Sequence, residues 1–286
     1  VELFYISSGT TLETQKEKFN EALNDFVNNA TMYSSEYERE KYVNDYIISN
    51  CVYDDEAAYN NNTKGNVSTA YGVLVDGKAI CEGYARAFQL LCNKLGIECV
   101  SIAGMTGDVG HEWNCAKIDG NWYQVDVTWN DSQDDFSNYY YFNLTDEQMY
   151  SSHRADDLFD EIEPDNYNND ENLIGNLYVP ECNSTEYNYY NQTAPILYAF
   201  DEENDNTISN ALANSAVNGD NYFNIIVDDS LDFEDAYSTL VQDGYVVNYI
   251  ESANNMLWGE VELDTSSYAY KNDTLRVITI VLNYIN

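Results

Sequence analysis

Between residues 84 and 95 the apolar side chains recur three and four positions apart: Tyr84, Phe88, Leu91, Cys92 and Leu95. That spacing puts them on one face of a helix. Gly96 supplies the stop, because glycine takes the left-handed conformation at no steric cost. The predicted helix opens at Cys81 and runs about fifteen residues. Beyond it the period changes from helical to alternating. Residues 111–118 and 122–129 are rich in Trp, Val and Tyr and flank Asp119-Gly120, a hairpin signal. A two-residue turn there pairs Ile118 with Asn121 and sets Trp113 opposite Asp126.

Upstream, residues 1–11 read as irregular or extended. Phe19, Leu23, Phe26 and Ala30 line one face of a helix predicted over 11–30. A second helix is predicted over 35–50, opened by a Ser35/Glu38 capping box and carrying Tyr42, Tyr46 and Ile47. Residues 54–68 form a polar loop. Downstream, all three prolines (Pro164, Pro180 and Pro195) fall in or beside a stretch rich in Asn, Asp and Tyr, as a connection would. The predicted organisation is therefore a first domain over 1–163, an irregular connection over 164–194 and a small α+β domain over 195–286. In the last, strand 195–200, helix 206–217, strand 222–228 and helix 232–242 precede strands near 245–250, 257–263 and 275–285. That domain holds two basic residues, Lys271 and Arg276, and neither cysteine nor histidine. It offers no catalytic set, and a binding, spacing or display role is the expectation.

The formal charge is −38, yet 44% of residues are hydrophobic, so the chain is no disordered polyelectrolyte. Such acidity argues against nucleic acid and anionic membrane surfaces as partners. The apolar runs are too short to span a bilayer, so membrane insertion is not expected. The chain opens on Val1, which suggests a processed or truncated start; a secreted or cell-surface protein is the expectation. The six cysteines are Cys51, Cys81, Cys92, Cys99, Cys115 and Cys182. They form no C-x-x-C and no paired Cys/His cluster, so structural zinc is not predicted. Asp131, Asp134 and Asp135 lack EF-hand spacing and read as a solvated loop. No metal and no cofactor is called for.

Cys81 is the residue whose position suggests chemistry. Unpaired N–H groups at a helix N-terminus favour a thiolate and can donate to an oxyanion. Gly83 is expected to leave room for a substrate. The competing reading is a buried, inert thiol. His111 and Asp126 shift the balance. They share a face of the predicted hairpin as diagonal neighbours, about 7–8 Å apart at most. An aspartate amid aromatic and β-branched residues is costly to bury without a partner, and an imidazole is an economical one. A thiol–imidazole–carboxylate relay from Cys81, His111 and Asp126 follows. His153, in Ser-Ser-His-Arg, reads as structural. Trp113 and Trp129 are either cleft walls or core.

The residues around each of these positions carry a resemblance. They are Gly77-Lys78-Ala79-Ile80-Cys81-Glu82-Gly83-Tyr84-Ala85, Gly104, His111-Glu112-Trp113-Asn114 and Trp122-Tyr123-Gln124-Val125-Asp126-Val127-Thr128-Trp129-Asn130-Asp131. In these the chain resembles the transglutaminase-like superfamily, specifically its bacterial branch, most specifically over 66–150. The resemblance implies a papain-like α+β core, with the nucleophile on a helix packed against an antiparallel sheet that carries the other two residues. Papain proper fits poorly, since here the His lies only thirty residues after the Cys. The resemblance implies Cys81 as nucleophile, His111 as proton carrier and Asp126 as its orienting partner. It also implies an oxyanion donor shortly before Cys81, for which Tyr71 is the candidate, and it includes a Tyr-Asp pair like Tyr53-Asp54.

Family members include protein cross-linkers, deamidases, proteases and peptide N-glycanases, with some that have lost activity. Two function classes follow. One is a cysteine enzyme of amide bonds, hydrolysing or transferring acyl groups on a protein or peptide substrate such as cell-wall peptide. The other is a surface binding or structural protein that keeps an unused triad.

Overall fold

Helix α1 spans Gly9–Ala30 and α2 spans Glu36–Asn50. Ser35 starts α2: its side chain accepts the Glu38 N–H, and the Glu38 carboxylate accepts the Ser35 N–H. Two otherwise orphaned donors are thereby satisfied. Phe26 of α1 stacks on Tyr42 and meets Tyr46 edge-on, which joins the two helices. Strand β1 (Val52–Tyr53) and helix α3 (Asp55–Tyr59) follow, then β2 (Lys78–Ala79). β1 and β2 pair in parallel, Tyr53 beside Ala79. This small ladder matters because β2 runs into α4 (Cys81–Lys94). The apolar face of α4 is fully buried, and Gly96, at φ 82°, turns the chain off its end.

Strands β3 (Cys99–Thr106), β4 (Val109–Ile118) and β5 (Asn121–Val125) continue the chain. Asp119 and Gly120 both adopt positive φ in the β4–β5 turn, which suits the twist of the paired strands. Ile118 pairs with Asn121, and Asn114 with Val125. The strand predicted to run to 129 stops at Val125. Asp126 instead caps a short helix α5 (Val127–Asn130). Aspartate bonds its own local backbone better than it serves a ladder. Helix α6 (Asp146–Met149) leads to β6 (His153–Ala155), and the antiparallel sheet has the order β5-β4-β3-β6. The Asn114 amide donates to the carbonyls of Ala85 (3.1 Å) and Val100 (3.3 Å), which ties α4 to the sheet.

The structure, a computed structural model, describes residues 8–60, 64–132, 134–155, 179–259 and 261–285. It divides into two compact units, Val1–Thr185 and Glu186–Asn286. Residues 164–178 of the predicted connection, Pro164 among them, and 1–7 of the predicted extended start lie outside the described residues. The described part of that connection is not all irregular. Cys182 is fully buried in the first unit, its Sγ 3.5 Å from that of Cys115. Its backbone exchanges hydrogen bonds with Asp146, and Tyr123 donates to Ser184 at 2.9 Å.

Among the described residues of this unit, Glu40 is a buried carboxyl that is only half satisfied. Glu40 is wholly buried, and its Oε2 accepts from Asn143 at 2.8 Å while Oε1 meets no donor among the described residues. Burial, opposed by the Asn143 bond and aided by the Glu36 charge, pushes its carboxyl up to about 8. The unfolded chain releases this proton above about pH 4.5 while the folded chain keeps it. Stability is therefore lost as pH rises from about 4.5 to about 8. Glu40→Gln is expected to stabilise the protein by about 1–3 kcal/mol at pH 8 and to flatten that window. Urea unfolding at pH 5 and pH 8 checks this; parallel losses in both proteins would refute it.

The second unit contains α7 (Tyr189–Thr193), β7 (Ile196–Leu197), α8 (Glu202–Asn218), β8 (Tyr222–Val227), α9 (Phe233–Tyr237), α10 (Val246–Leu257), β9 (Ala269–Asn272) and β10 (Val277–Val281). Its sheet has the order β7-β8-β10-β9. The strand predicted near 245–250 is helix α10. Val246, Tyr249, Ile250, Ala253 and Leu257 are buried at helical spacing on it, so burial over twelve residues overrides the local β propensity of its start. The strand predicted near 257–263 is reduced to a single bridge from Leu263 to Tyr284.

Candidate active site

Cys81 occupies the first position of α4, and the preceding residue, Ile80, makes no side-chain capping hydrogen bond to the helix end. Of the six free thiols it alone is not buried. The other five are held in the core, where burial raises the Cys51 thiol first of all causes, to about 11. Burial likewise leads in raising Cys92. For Cys115 the neighbouring Cys182 thiol leads and burial follows.

His111 enters from β4 and faces both Cys81 and Asp126. Its Nε2 lies 2.7 Å from Asp126 Oδ2, so Nδ1 is the ring nitrogen left for the thiol. Burial works against a charge on this ring. The hydrogen bond to Asp126, then the contact with Cys81, outweigh burial and lift His111 to about 10. Asp126 is fully buried. Burial would raise its pKa, yet bonds from His111 and His153 hold it near 2. Its Oδ1 accepts the Thr128 and Trp129 N–H groups at 2.9 and 3.2 Å. Further bonds fix this turn: Asp126 N–H to the Tyr141 carbonyl (2.9 Å), and the buried Asn130 amide to Asn44 of α2 (2.9 Å).

The remaining sequence candidates fall elsewhere. Trp113 is only 1% exposed and donates to Gln124 at 2.7 Å, so it forms no cleft surface. Trp129 is 36% exposed with its ring 5.9 Å from that of His111, and it takes the wall position. Tyr71 stacks on Phe19 of α1. Tyr53, at the end of β1, is the tyrosine that meets Cys81, within hydrogen-bonding reach of its N–H and its thiol. Burial, then the charge at Cys81, pushes the Tyr53 hydroxyl up to about 12, so it remains a donor. Gly83 does not make room for a ligand. A side chain there would stand 2.5 Å from the Val67 carbonyl and 2.8 Å from Ala79. The chain's own backbone fills the space. Asp131 accepts from the Tyr84 hydroxyl instead of facing solvent as a loop carboxylate.

Sequence reasoning missed two residues. Tyr53 was legible only as part of a Tyr-Asp pair, with no signal that β1 would lie beside the approach to Cys81. His153 joins the site from β6, its Nε2 3.0 Å from the same Asp126 oxygen. Among the described residues, His111, Asp126 and His153 bring three ligand-type atoms within 4.8 Å of one another. With Asp126 ionised, each imidazole donates its Nε2–H to the same carboxylate oxygen, and the three side chains form a hydrogen-bond hub.

A thiol at a helix N-terminus and an imidazole–carboxylate pair beside an antiparallel sheet define a papain-like class of α+β domain. Residues 24–127, which hold Cys81, His111 and Asp126, match the family model described as the transglutaminase-like superfamily. Among curated proteins the chain is 29% identical over 167 residues to the kyphoscoliosis peptidase of Mus musculus, covering 54% of this chain and 24% of that protein. It is 26% identical over 167 residues to the Homo sapiens kyphoscoliosis peptidase, with the same coverage. The chain thus spans about a quarter of the length of these relatives. A crystal structure of a TGase superimposes with a TM-score of 0.37 at 20% identity, over 45% of this chain and 35% of that one. The family match and the curated relatives support a cysteine-dependent enzyme at the family level. Among the described residues no helix is long and apolar enough to cross a membrane.

Proposed function

We propose that this protein is a cysteine enzyme of amide bonds acting on a protein or peptide through a thioester. The observation that carries the proposal is the convergence of one accessible thiol, Cys81, with a buried His111–Asp126 pair. Cys81 passes its proton to His111 and attacks the substrate carbonyl as the thiolate. The tetrahedral oxyanion is met by the Cys81 N–H and the Tyr53 hydroxyl. His111, held protonated by Asp126, gives its proton to the departing amine, and the acyl group stays on sulfur. Water or a second amine then attacks the thioester, with His111 taking the proton back. Hydrolysis and transfer share every step up to that point. An exported protein meeting peptide at the cell surface fits the acidic composition.

Activity-based labelling tests this. Iodoacetamide at neutral pH is expected to modify Cys81 before any other cysteine, because the other five are buried. An electrophilic peptide library should then leave one adduct, on Cys81, by mass spectrometry. Chasing the trapped acyl enzyme with a primary amine separates transfer from hydrolysis. Cys92 or Cys182 labelled first, or no peptide adduct on Cys81, would favour a binding protein instead.

A further inference from the structure

Asp126 accepts four hydrogen bonds, and His111 supplies only one of them. Oδ1 takes two backbone N–H groups, at 2.9 and 3.2 Å. Oδ2 takes His111 at 2.7 Å and His153 at 3.0 Å. Both imidazoles therefore share one oxygen, the one on which the relay depends. The two oxygens turn together about the Cβ–Cγ bond, so each bond to either oxygen resists that turn, and the bonds on Oδ2 act at the oxygen that serves His111. His153 opposes that turn, and it is itself held. Its side chain is wholly buried. Its Nδ1 lies 2.9 Å from the Ser152 hydroxyl, so the ring cannot rotate without losing bonds on both sides. Trp129, Trp113 and Tyr141 enclose it at ring separations of 4.6, 5.0 and 5.6 Å.

We propose that His153 is a positioning residue, a second imidazole that fixes the Asp126 carboxylate so that Oδ2 stays on His111 while Cys81 turns over. This deepens the relay described above and rests on it. A histidine needed only for packing could bond any nearby carbonyl; this one is placed on the relay's own acceptor. The titratable groups facing Asp126 are His111 from β4, His153 from β6 and Tyr141 from the segment before α6. His111 also faces Cys81 from α4.

The chain has two histidines, so their imidazole signals are assigned by difference. Wild type, His153→Phe, His153→Gln and Asp126→Asn are compared by NMR titration of His111 and by the rate of Cys81 alkylation with iodoacetamide. Phenylalanine fills the space without a donor, while glutamine reaches the same oxygen with an amide N–H. His153→Phe is expected to lower the His111 midpoint by about one pH unit and to slow alkylation about tenfold. His153→Gln should recover most of both. A His153→Phe protein that melts earlier but keeps the wild-type midpoint and rate overturns the inference. If His153→Phe does not fold, the wild-type imidazole protons decide. A His153 Nε2–H signal that disappears in Asp126→Asn supports positioning; a proton found on Nδ1 alone overturns it. A wild type in which Asp126→Asn changes neither His111 nor Cys81 sinks the relay itself. An intact relay indifferent to His153→Gln and His153→Phe sinks this inference alone.

Discussion

Asp126→Asn is expected to cut turnover about 10²-fold or more while leaving the first unit folded. Asparagine keeps an oxygen for the Thr128 and Trp129 N–H groups, so the α5 cap survives. At the other position it presents an amide N–H₂ to two imidazole N–H groups. His111 must then change tautomer and offer Nε2 as acceptor, which leaves Nδ1 protonated and unable to take a proton from Cys81. The same substitution in a serine relay costs about four orders of magnitude; a thiol needs less help from its base, so the loss here is smaller. Stability should change with pH as well. Asp126, held near 2, contributes stability that is present above about pH 4 and lost as pH falls towards 2. His111, raised to about 10, contributes stability present below about pH 6.5 and lost as pH rises towards 10. Both windows should flatten in Asp126→Asn. Steady-state rates on the peptide selected by labelling, with urea melts at several pH values, check this. A loss under about threefold would remove Asp126 from the relay.

Gly104→Ala is expected to cost about 3 kcal/mol and most of the labelling of Cys81. Gly104 sits in β3 between His111 on β4 and Ala155 on β6. An added Cβ would lie 2.2 Å from the Arg154 carbonyl and 2.6 Å from the Trp113 ring. The first obstacle is backbone and the second a fully buried indole, so neither has free space to move into. Relief requires β6 to separate from β3, which withdraws His153 from Asp126, or Trp113 to leave its place beneath His111. Chemical denaturation and Cys81 labelling should therefore fail together. Wild-type stability in Gly104→Ala would mean that β6 is not held as described.

The parts of this protein legible in its sequence are those governed by neighbours along the chain. The stripe Tyr84, Phe88, Leu91 and Cys92 sets α4 because burial of one helical face needs only the 3.6-residue period. Asp119-Gly120 sets the β4–β5 register because few other pairs accept positive φ at both positions. From these alone Cys81 falls at a helix N-terminus, and His111 and Asp126 fall on facing parts of one hairpin. The α+β class of this domain is instead what the family resemblance implies. Local reading fails where a side chain has a choice. Asp126 could extend a strand or cap a helix, and the two N–H groups of Thr128 and Trp129 decide for the cap. Val246-Val247 could start a strand, and the buried stripe ending at Leu257 decides for α10.

Tertiary structure alone decides which side chains meet across long separations. Tyr53 replaces Tyr71 beside Cys81 because β1 pairs in parallel with β2. Cys182 enters the core of the first unit although the proline-marked stretch reads as a connection. His153, a structural residue by sequence, reaches Asp126 because Gly104 lets β6 close against β3. None of these contacts leaves a period or a motif in the chain. Each follows from strand pairing and from the space that a missing side chain leaves, and those exist only once the sheet has formed.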